Sequence, residues 1–485
     1  MIAKRIESLL ALKQNRRLLI IDKCGFSDCF DYTASLTGCG FEIHYYTNVE
    51  AFRVLYEENI KASTDKIAVI AASSIYVPYD IQRTFRKVSL SFTDIFPKLH
   101  ADTLKKYTRD LDLISFAYDS CYMDYLSTPQ TEGFLQNTVF TVPMVSDYCH
   151  AKAAVISEQC SAAASYMDWM TIAKRNAVIR YYAVKYKVPI DLSLVDEEFM
   201  RFIRDGYGSL STQVNRSYPA IVTKTLDVIS GGAADKAAIV LMDGMSLNDF
   251  EILSRFFDGI EYDYYCSFAI IPTTTPISRQ SLLSGKYPRE LATPFSLASE
   301  EKEFFSGAKM QGYKDDQIQY VRGFEPDISP FARIVAVVVN EIDDIVHGQR
   351  QERIGMFNDM NVLGKSGKLQ KLIAHLAGLG FTVYITADHG NTPCVGIGGF
   401  RSSIGVETRS MRMTVLKDFA EANDLLRQNA SEYSGFYMDK SYRYFVSNLG
   451  VSFDSKGKSV MTHGGISLDE VVVPFIKIRS VCNYV

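Results

Sequence analysis

The sequence of 485 residues has no strong excess of charge of either sign. Lys and Arg number 52 against 56 Asp and Glu, which gives a net charge of −4. A protein that binds nucleic acid mainly through bulk charge is usually basic, so this composition does not favour that mode of binding. Hydrophobic residues make up 47% and charged residues 22%, ordinary values that exclude a disordered or fibrous chain.

Long apolar runs are also missing. The longest, such as AAIVLM and IVAVVV, have the length of strands, whereas a membrane-spanning helix needs about 20 residues. Charged residues interrupt the first segment, MIAKRIESLL, which therefore does not resemble a signal peptide. The nine cysteines are scattered without the spacing of a zinc ribbon. We therefore expect a cytoplasmic protein with reduced thiols and no membrane segment.

Three regions follow one another along the chain, which is too long for one ordinary core. Strand-like and helix-like runs alternate over residues 17–72 and predict a parallel sheet, without the glycine-rich motif of dinucleotide sites. Residues from about 80 to 228 are mainly helical in pattern. The segment SGGAADK, at 230–236, opens the third region. We predict an N-terminal α/β module at 1–110, a helical spacer domain at 111–229 and a catalytic domain at 230–485.

The third region alternates continuous apolar strands with amphipathic helices. The strand-like runs include AAIVLMD, YDYYCSFAII, RIVAVVVNEI, FTVYITAD and VVVPFIKI. This pattern predicts a doubly wound, largely parallel sheet that is buried on both faces. In such sheets the active site lies at the carboxyl ends of the strands.

Acidic and histidine side chains lie at the predicted strand ends. They are Asp243, Asp343, His347, Asp388, His389 and, shortly before the last strand, His463. Each has an ordinary alternative as a helix cap, a turn former or a surface hydrogen-bond partner. Three of only seven histidines share these positions, however, and their joint occurrence at one edge of a sheet favours a metal centre.

The ligand types are sufficient for two divalent ions. Asp343 and His347 are four residues apart, so a helical turn places them on one face, and His463 supplies a third ligand. Asp243, Asp388, His389 and one nucleophile oxygen make a second set of four. Two such ions can clamp the attacking and leaving oxygens of a phosphoryl transfer.

The segment IPTTTPISRQSLLSG offers the nucleophile. Its hydroxyl candidates are Thr273, Thr274, Thr275, Ser278 and Ser281, and the residues alone do not choose between them. Arg279 lies about one helical turn beyond Thr275 and could grip a phosphate oxygen, with a surface ion pair as its ordinary alternative. The turn into the helix would also present backbone amides to phosphate.

The ordered motifs resemble those of the PglZ branch of the alkaline phosphatase superfamily. They are Asp243-Gly244, the segment PTTTPISRQSLLSG, Asp343 with His347, Asp388-His389-Gly390 and HGGISLDEVVVP around His463. The resemblance covers residues 236–480 and implies an alkaline-phosphatase-like fold. By this correspondence Thr275 is the nucleophile and also a metal ligand. One departure concerns the P-N-H that often follows the nucleophile. Here Pro276-Ile277-Ser278-Arg279 follows, so Arg279 is the candidate to replace the missing Asn.

The resemblance implies a zinc-dependent phosphodiesterase or nuclease with two Zn²⁺ ions, which other divalent metals such as Mn²⁺ can replace. It implies a nucleotide or oligonucleotide substrate, and partner proteins of a bacteriophage-exclusion system. Two alternatives stay open. A phosphomonoesterase would need more cationic contacts for a dianionic phosphoryl group than these motifs offer. A scaffold protein of a defence complex would not need the complete ligand set that this chain has.

Overall fold

The computed structural model describes residues 2–22, 24, 26, 32–46, 48–71, 76–121, 124–232, 235–399 and 405–482. The chain divides into two compact units, Met1–Tyr148 and Cys149–Val485. All predicted site residues lie in the second unit. The domain boundaries expected near 110 and 229 remain predictions.

The first unit contains a four-stranded sheet. Its strands are β1 (Arg17–Asp22), β2 (Phe41–Tyr45), β3 (Lys66–Ala71) and β4 (Arg86–Leu90). The order is β2-β3-β1-β4, and every neighbouring pair is parallel. The central strands β1 and β3 are apolar and almost wholly buried, as in sheets covered on both faces. This confirms the parallel α/β module predicted from residues 17–72. Most of the turn after β1, where the dinucleotide motif is missing, lies outside the described residues.

Short helices make up much of the rest of the first unit. They are α1 (Ile2–Leu10), α2 (Tyr32–Gly38), α3 (Val49–Leu55), α4 (Tyr79–Gln82), α5 (Phe92–Ile95), α6 (Ala101–Leu104), α7 (Leu111–Ser120) and α8 (Thr128–Phe134), with a 3-10 turn at Lys105–Asp110 and π turns at Tyr56–Ile60 and Leu135–Val139. The helix α9 (Val142–Ala162) begins in the first unit and ends in the second.

The second unit has long helices at its start and a mixed set of strands after them. Its helices are α10 (Tyr166–Tyr186), α11 (Ser193–Asp205), α12 (Thr225–Ser230), α13 (Leu247–Leu253), α14 (Thr275–Ser284), α15 (Glu300–Met310), α16 (Glu341–Gly348), α17 (Glu352–Ser366), α18 (Lys368–Gly378), α19 (Asp424–Asn429) and α20 (Leu468–Val471). Its 3-10 turns are Tyr207–Thr212, Val222–Lys224, Ser254–Phe256, Pro288–Glu290, Leu297–Ser299 and Asp315–Gln317.

The described strands of the second unit form three sheets. They are β5 (Ala237–Met242), β6 (Ile260–Phe268), β7 (Ile318–Arg322), β8 (Ile334–Val339), β9 (Thr382–Thr386), β10 (Thr392–Gly396), β11 (Val406–Arg409), β12 (Met413–Lys417), β13 (Ala430–Tyr433), β14 (Tyr442–Ser447), β15 (Val451–Ser452), β16 (Ser459–Thr462) and β17 (Val472–Val481). The main sheet has six strands in the order β6-β17-β9-β5-β8-β7. The other two sheets have the orders β15-β10-β16 and β11-β12-β14-β13.

The main sheet confirms the largely parallel α/β fold, with one exception. β5, β7, β8 and β9 are parallel, whereas β17 is antiparallel to both of its neighbours, β9 and β6. β5 and β8 are wholly buried, as in sheets that are covered on both faces. No helix of the described residues has the length and apolar character needed to cross a membrane.

Candidate metal centre and catalytic cleft

The predicted ligands meet at one edge of the main sheet. Asp243 follows β5, and Asp388 and His389 follow β9. Asp343 and His347 lie in α16, which follows β8. Because β9, β5 and β8 are parallel neighbours, their carboxyl ends deliver all these side chains to the same place.

The last ligand arrives from the opposite direction. His463 precedes β17, and a residue before a parallel strand would lie at the wrong edge of the sheet. β17 is antiparallel to β9, so it begins where β9 ends. The reversed strand therefore brings His463 to the other ligands.

Asp243, Asp388 and His389 form the first ligand group, and their ligand atoms lie within 4.8 Å of one another. All three side chains are buried. The His389 Nε2 atom is 3.8 Å from Asp243 Oδ1 and 3.9 Å from Asp388 Oδ2. His389 Nδ1 lies 3.0 Å from the Gly390 carbonyl, to which it can donate only as Nδ1–H, so Nε2 is left as the ligand atom.

Asp343, His347 and His463 form the second ligand group, also with ligand atoms within 4.8 Å of one another. Nε2 of His347 is 3.3 Å from Asp343 Oδ2, and Nε2 of His463 is 3.5 Å from Asp343 Oδ1. His463 Nδ1 lies 3.0 Å from the Thr273 carbonyl and donates to it. The His389 and His463 rings stack with centroids 4.1 Å apart, so the two groups adjoin.

Two carboxylate oxygens show that these groups suit cations. Asp243 Oδ1 and Asp343 Oδ1 are buried and accept no hydrogen bond from the described residues. A buried carboxylate oxygen without a donor is costly, and a divalent ion would satisfy it. Each group also combines carboxylate oxygen with imidazole nitrogen, the ligand types that zinc accepts. The residues therefore fit one metal ion in each group.

The protonation of the second group also suits metal binding. Burial, and after it the neighbouring His389, lowers the pKa of His463 to about 3, although the charge of Asp343 acts to raise this pKa. The imidazole is therefore neutral near pH 7, as a ligand must be. Burial alone would raise the pKa of Asp343, but the hydrogen bond from His347 and the other histidines lower it. The same hydrogen bond raises the pKa of His347.

Arg279 is buried beneath the first ligand group, with 1% of its side chain exposed. Its guanidinium forms ion pairs with Asp243 and Asp388, the latter with an Nε–Oδ2 distance of 3.1 Å. A third carboxylate, Glu300, lies 3.5 Å from Nη1 and is shared with Arg322. Burial alone would lower the pKa of Arg279, but Asp388 and Asp243 raise it. Contact of this guanidinium with a substrate phosphate stays a prediction.

The hydroxyls that the sequence could not distinguish as nucleophile candidates have different hydrogen-bond partners in the fold. Thr275 begins α14, and its Oγ1 atom is 3.0 Å from His389 Nε2. Thr273 Oγ1 donates to the Gly465 carbonyl, and Ser278 Oγ donates to the Asp388 carbonyl. Ser281 Oγ is buried without a partner among the described residues. Of these five hydroxyls, the one hydrogen-bonded to a described ligand side chain is that of Thr275.

The start of α14 presents fewer amides than a typical helix start. Pro276 has no N–H, and the amides of Ile277 and Ser278 both donate to the Thr274 carbonyl. Among the described hydrogen bonds of this turn, the Thr275 amide is the one left without an acceptor. Backbone binding of phosphate here would therefore rest on that single amide.

A cleft of about 780 Å³ opens above Thr275. One wall carries Thr275, His347 and His463, and the other carries Arg409, Met411 and Phe453. The second wall belongs to residues 405–462, which form most of the two smaller sheets. The cleft thus lies between the ligand groups and these smaller sheets.

The family model of the BREX system PglZ alkaline phosphatase-like domain matches residues 222–478, more than half of the chain. The chain belongs to the PglZ family. Membership supports a phosphoester hydrolase, in agreement with the resemblance drawn from the motifs. The match includes every predicted site residue and begins ahead of the predicted boundary at 230.

Solved structures similar to this PglZ chain include other hydrolases. Murine ectonucleotide pyrophosphatase/phosphodiesterase 5 is 12% identical over 50% of this chain and 87% of its own, with a TM-score of 0.36. The human protein of that name is 13% identical over 50% and 87%, with a TM-score of 0.35. Phosphonoacetate hydrolase from Sinorhizobium meliloti 1021 is 13% identical over 52% and 91%, with a TM-score of 0.33. A comparison with curated proteins found no match.

Several residues of the PglZ site were not found from the sequence. Glu300 starts α15, far from any motif, and Tyr320 and Arg322 lie on β7, which the sequence did not predict. Tyr320 donates to Glu300 Oε1 over 2.7 Å. No local signal marks these three residues, because only the packing of α15 against α14 and β7 brings them to Arg279.

Proposed function

We propose that this PglZ protein is a two-metal phosphodiesterase that uses Thr275 as its nucleophile. The observation that carries the proposal is the contact between Thr275 Oγ1 and His389 Nε2, 3.0 Å apart, where two ligand groups meet. Two ligand atoms of one tetrahedral zinc ion are separated by roughly 3.3 Å, so this contact fits a shared ion.

Asp243, Asp388, His389 and Thr275 would hold one ion, and Asp343, His347 and His463 the other. When bound, the ions would lower the pKa of the attacking hydroxyl and neutralise charge on the phosphoryl group. Thr275 Oγ1, once deprotonated, forms a bond to phosphorus as the bond to the leaving alcohol breaks, and the departing oxygen takes up a proton. The other alcohol of the diester stays on phosphorus, so the intermediate is a phosphodiester of Thr275, which water hydrolyses to a phosphate monoester and free Thr275. The second ligand group keeps a position for a phosphoryl oxygen, because it has three protein ligands.

In this proposal Arg279 orients the ligands, in addition to the contact with a substrate phosphate that the sequence predicts. Its guanidinium already contacts Asp243, Asp388 and Glu300, and its side chain is 1% exposed. A cation under the two ligand carboxylates limits their mutual repulsion before the metal binds.

The cleft favours a diester over a monoester. Among the described residues that line it, Arg409 is the single Arg or Lys. A dianionic phosphoryl group usually needs further cationic contacts in addition to the two metals, and this lining offers few of them. Met411 and Phe453 offer apolar contacts to the rest of a nucleotide or oligonucleotide. The family description names the BREX system, and on that basis we propose partner proteins of that system and a role in phage defence in the cytoplasm.

Metal content and turnover test the proposal together. The full chain would be purified without chelators, analysed for zinc and manganese, and assayed with bis-p-nitrophenyl phosphate and p-nitrophenyl phosphate. We expect two metal ions per chain and faster cleavage of the diester. Thr275→Ala should keep its metal and lose turnover. Ser281→Ala should keep both, because it removes from the same helix a buried hydroxyl that has no hydrogen-bond partner among the described residues.

Three results would change the proposal. Full activity in Thr275→Ala would show that Thr275 is not the nucleophile. Faster cleavage of the monoester would favour a phosphomonoesterase. Folded protein with neither metal nor turnover would favour a scaffold role in a defence complex.

A further inference from the structure

A buried ion pair joins the smaller sheets to the loop that carries His463. Arg412 precedes β12, and Glu470 lies in α20. Both side chains are fully buried, and Arg412 Nε lies 3.1 Å from Glu470 Oε1. Neither residue is a ligand or lines the cleft. The question is what this pair does for the centre beside it.

The carboxylate of Glu470 organises the loop that follows His463. Its Oε1 atom accepts the Gly465 amide over 2.7 Å. Its Oε2 atom accepts the Ser467 amide over 3.1 Å and the Ser467 hydroxyl over 2.7 Å. The Glu470 carbonyl accepts the amide of Gly390, next to His389. Glu470 thus holds the loop closed and contacts the turns beside both ligand groups.

The guanidinium of Arg412 covers this loop from the other side. A Cβ atom at Gly465 would overlap the guanidinium, so Arg412 lies directly on that glycine. Nη1 also donates to the Val451 carbonyl over 3.2 Å and to Cys394 Sγ. Arg412 is therefore fixed by β10 and β15 as well as by Glu470.

The loop in turn fixes the ring of His463. The Gly464 amide donates to Thr273 Oγ1 over 3.1 Å, and Thr273 Oγ1 donates to the Gly465 carbonyl over 2.8 Å. The Thr273 carbonyl accepts His463 Nδ1, which orients Nε2 toward Asp343. A continuous set of contacts therefore runs from Arg412 through Glu470 and Gly465 to His463.

We infer that Arg412 and Glu470 are positioning residues that set the affinity of the second ligand group for its metal. The inference rests on the proposed two-metal function. A buried ion pair is often replaceable by apolar residues without loss of stability, so stability alone does not account for it. Partners that orient a metal-bound imidazole typically change metal affinity by 10–100-fold when removed, about the effect expected here.

Zinc binding by the full chain tests this inference. The metal would be removed with a chelator and Zn²⁺ titrated back by calorimetry, with thermal unfolding followed in parallel. The wild type should bind two ions. Glu470→Gln should bind the first ion normally and the second at least about tenfold more weakly. Glu251→Gln is the matched control, because it removes the acid of another nearly buried Arg–Glu pair, with Arg255, and neither residue belongs to a ligand group.

A double variant separates positioning from folding. Arg412→Met with Glu470→Gln removes the unpaired buried charge that Glu470→Gln leaves behind. We expect its unfolding midpoint to return toward that of the wild type while the second zinc stays weakly bound. The inference would be overturned if the double variant recovered both its unfolding midpoint and its affinity for the second zinc ion. Wild-type zinc affinity in Glu470→Gln would overturn it as well. A wild type that binds no zinc would overturn the proposed function as well, so the two failures are distinguishable.

Discussion

Single residues set the charge of the metal centre. Asp243 and Asp388 are two buried carboxylates that share one guanidinium, that of Arg279. Burial, and then the charge of Asp388, raises the pKa of Asp243 well above its ordinary value. Arg279 and a bound metal ion would therefore compensate the same negative charge.

Replacing Arg279 by methionine should destabilise the metal-free protein more than the metal-loaded protein. Removing one partner of a buried ion pair costs about 3–5 kcal/mol, because the carboxylates remain uncompensated. Bound zinc would compensate part of that charge. Denaturant unfolding with and without Zn²⁺ measures the difference. Arg255→Met, in the pair with Glu251, should show the same loss in both forms, and an equal loss for Arg279→Met would contradict the prediction.

Neighbouring aspartates in α16 offer a sharp comparison. Asp343 belongs to the second ligand group, whereas Asp344 is exposed on the same helix. Asp343→Ala should remove one metal ion per chain and lower kcat/KM by several orders of magnitude. Asp344→Ala should change neither quantity by more than about twofold, as expected for a surface substitution. Elemental analysis and diester turnover measure both, and equal effects would exclude Asp343 as a ligand.

The sequence predicted which residue types form the centre but not every role. Motif order was sufficient to group Asp243, Asp343, Asp388 and the histidines, because each follows a strongly apolar strand or precedes one. The choice of Thr275 among five hydroxyls needed the family resemblance, since hydroxyl groups in one short segment look alike until a fold orients them. Whether Thr275 and Arg279 act as proposed stays a prediction.

At the scale of elements, the turn after β5 decides how closely two ligands approach. Gly244 has a φ of +71°, a conformation that side chains disfavour, and a Cβ there would lie 3.4 Å from Asp343 Oδ1. Its amide donates to Asp388 Oδ1 over 3.2 Å. A residue without a side chain is therefore required where both ligand groups meet.

Gly244→Ala should lower metal affinity as well as stability. The strain at positive φ costs about 1 kcal/mol or more, and the added methyl group would lie in contact with the ligand Asp343. Gly367→Ala is the control, because its φ of +70° gives the same strain with no atom within 4 Å of the added Cβ. Both variants should lose similar stability, but Gly244→Ala alone should bind zinc more weakly in a titration. Equal zinc affinity in the two variants would contradict this role.

Elements were predictable where their burial was continuous. β5, β8 and β9 are apolar runs and were found, whereas the short, partly exposed β11 and β13 have no clear pattern and were missed. Within the region predicted as mainly helical, from about 80 to 228, residues 142–186 form two helices, α9 and α10. Ser165 and Asp168 form a capping box that starts α10, a local signal that composition alone did not reveal.

At the scale of the whole molecule, every ligand lies within one of the two compact units. A fragment covering 142–485 keeps all of α9 and the complete second unit. We expect it to bind the same number of metal ions as the full chain, by elemental analysis. Removing the metal with a chelator should lower the unfolding midpoint of both, because an ion that binds only the folded state stabilises it. Loss of metal binding in the fragment alone would assign a role in the centre to the first unit.

The smaller sheets occupy the stretch of chain between β9 and β17, with His389 before it and His463 after it. They form an insertion in the main sheet, placed in the chain between two metal-ligand candidates, His389 and His463. Arg409 and Met411 of the cleft lie in the middle of this stretch, beside Arg412, which contacts Gly465 in the loop that follows His463. The shape of the cleft and the geometry of the metal centre therefore depend on the same piece of chain.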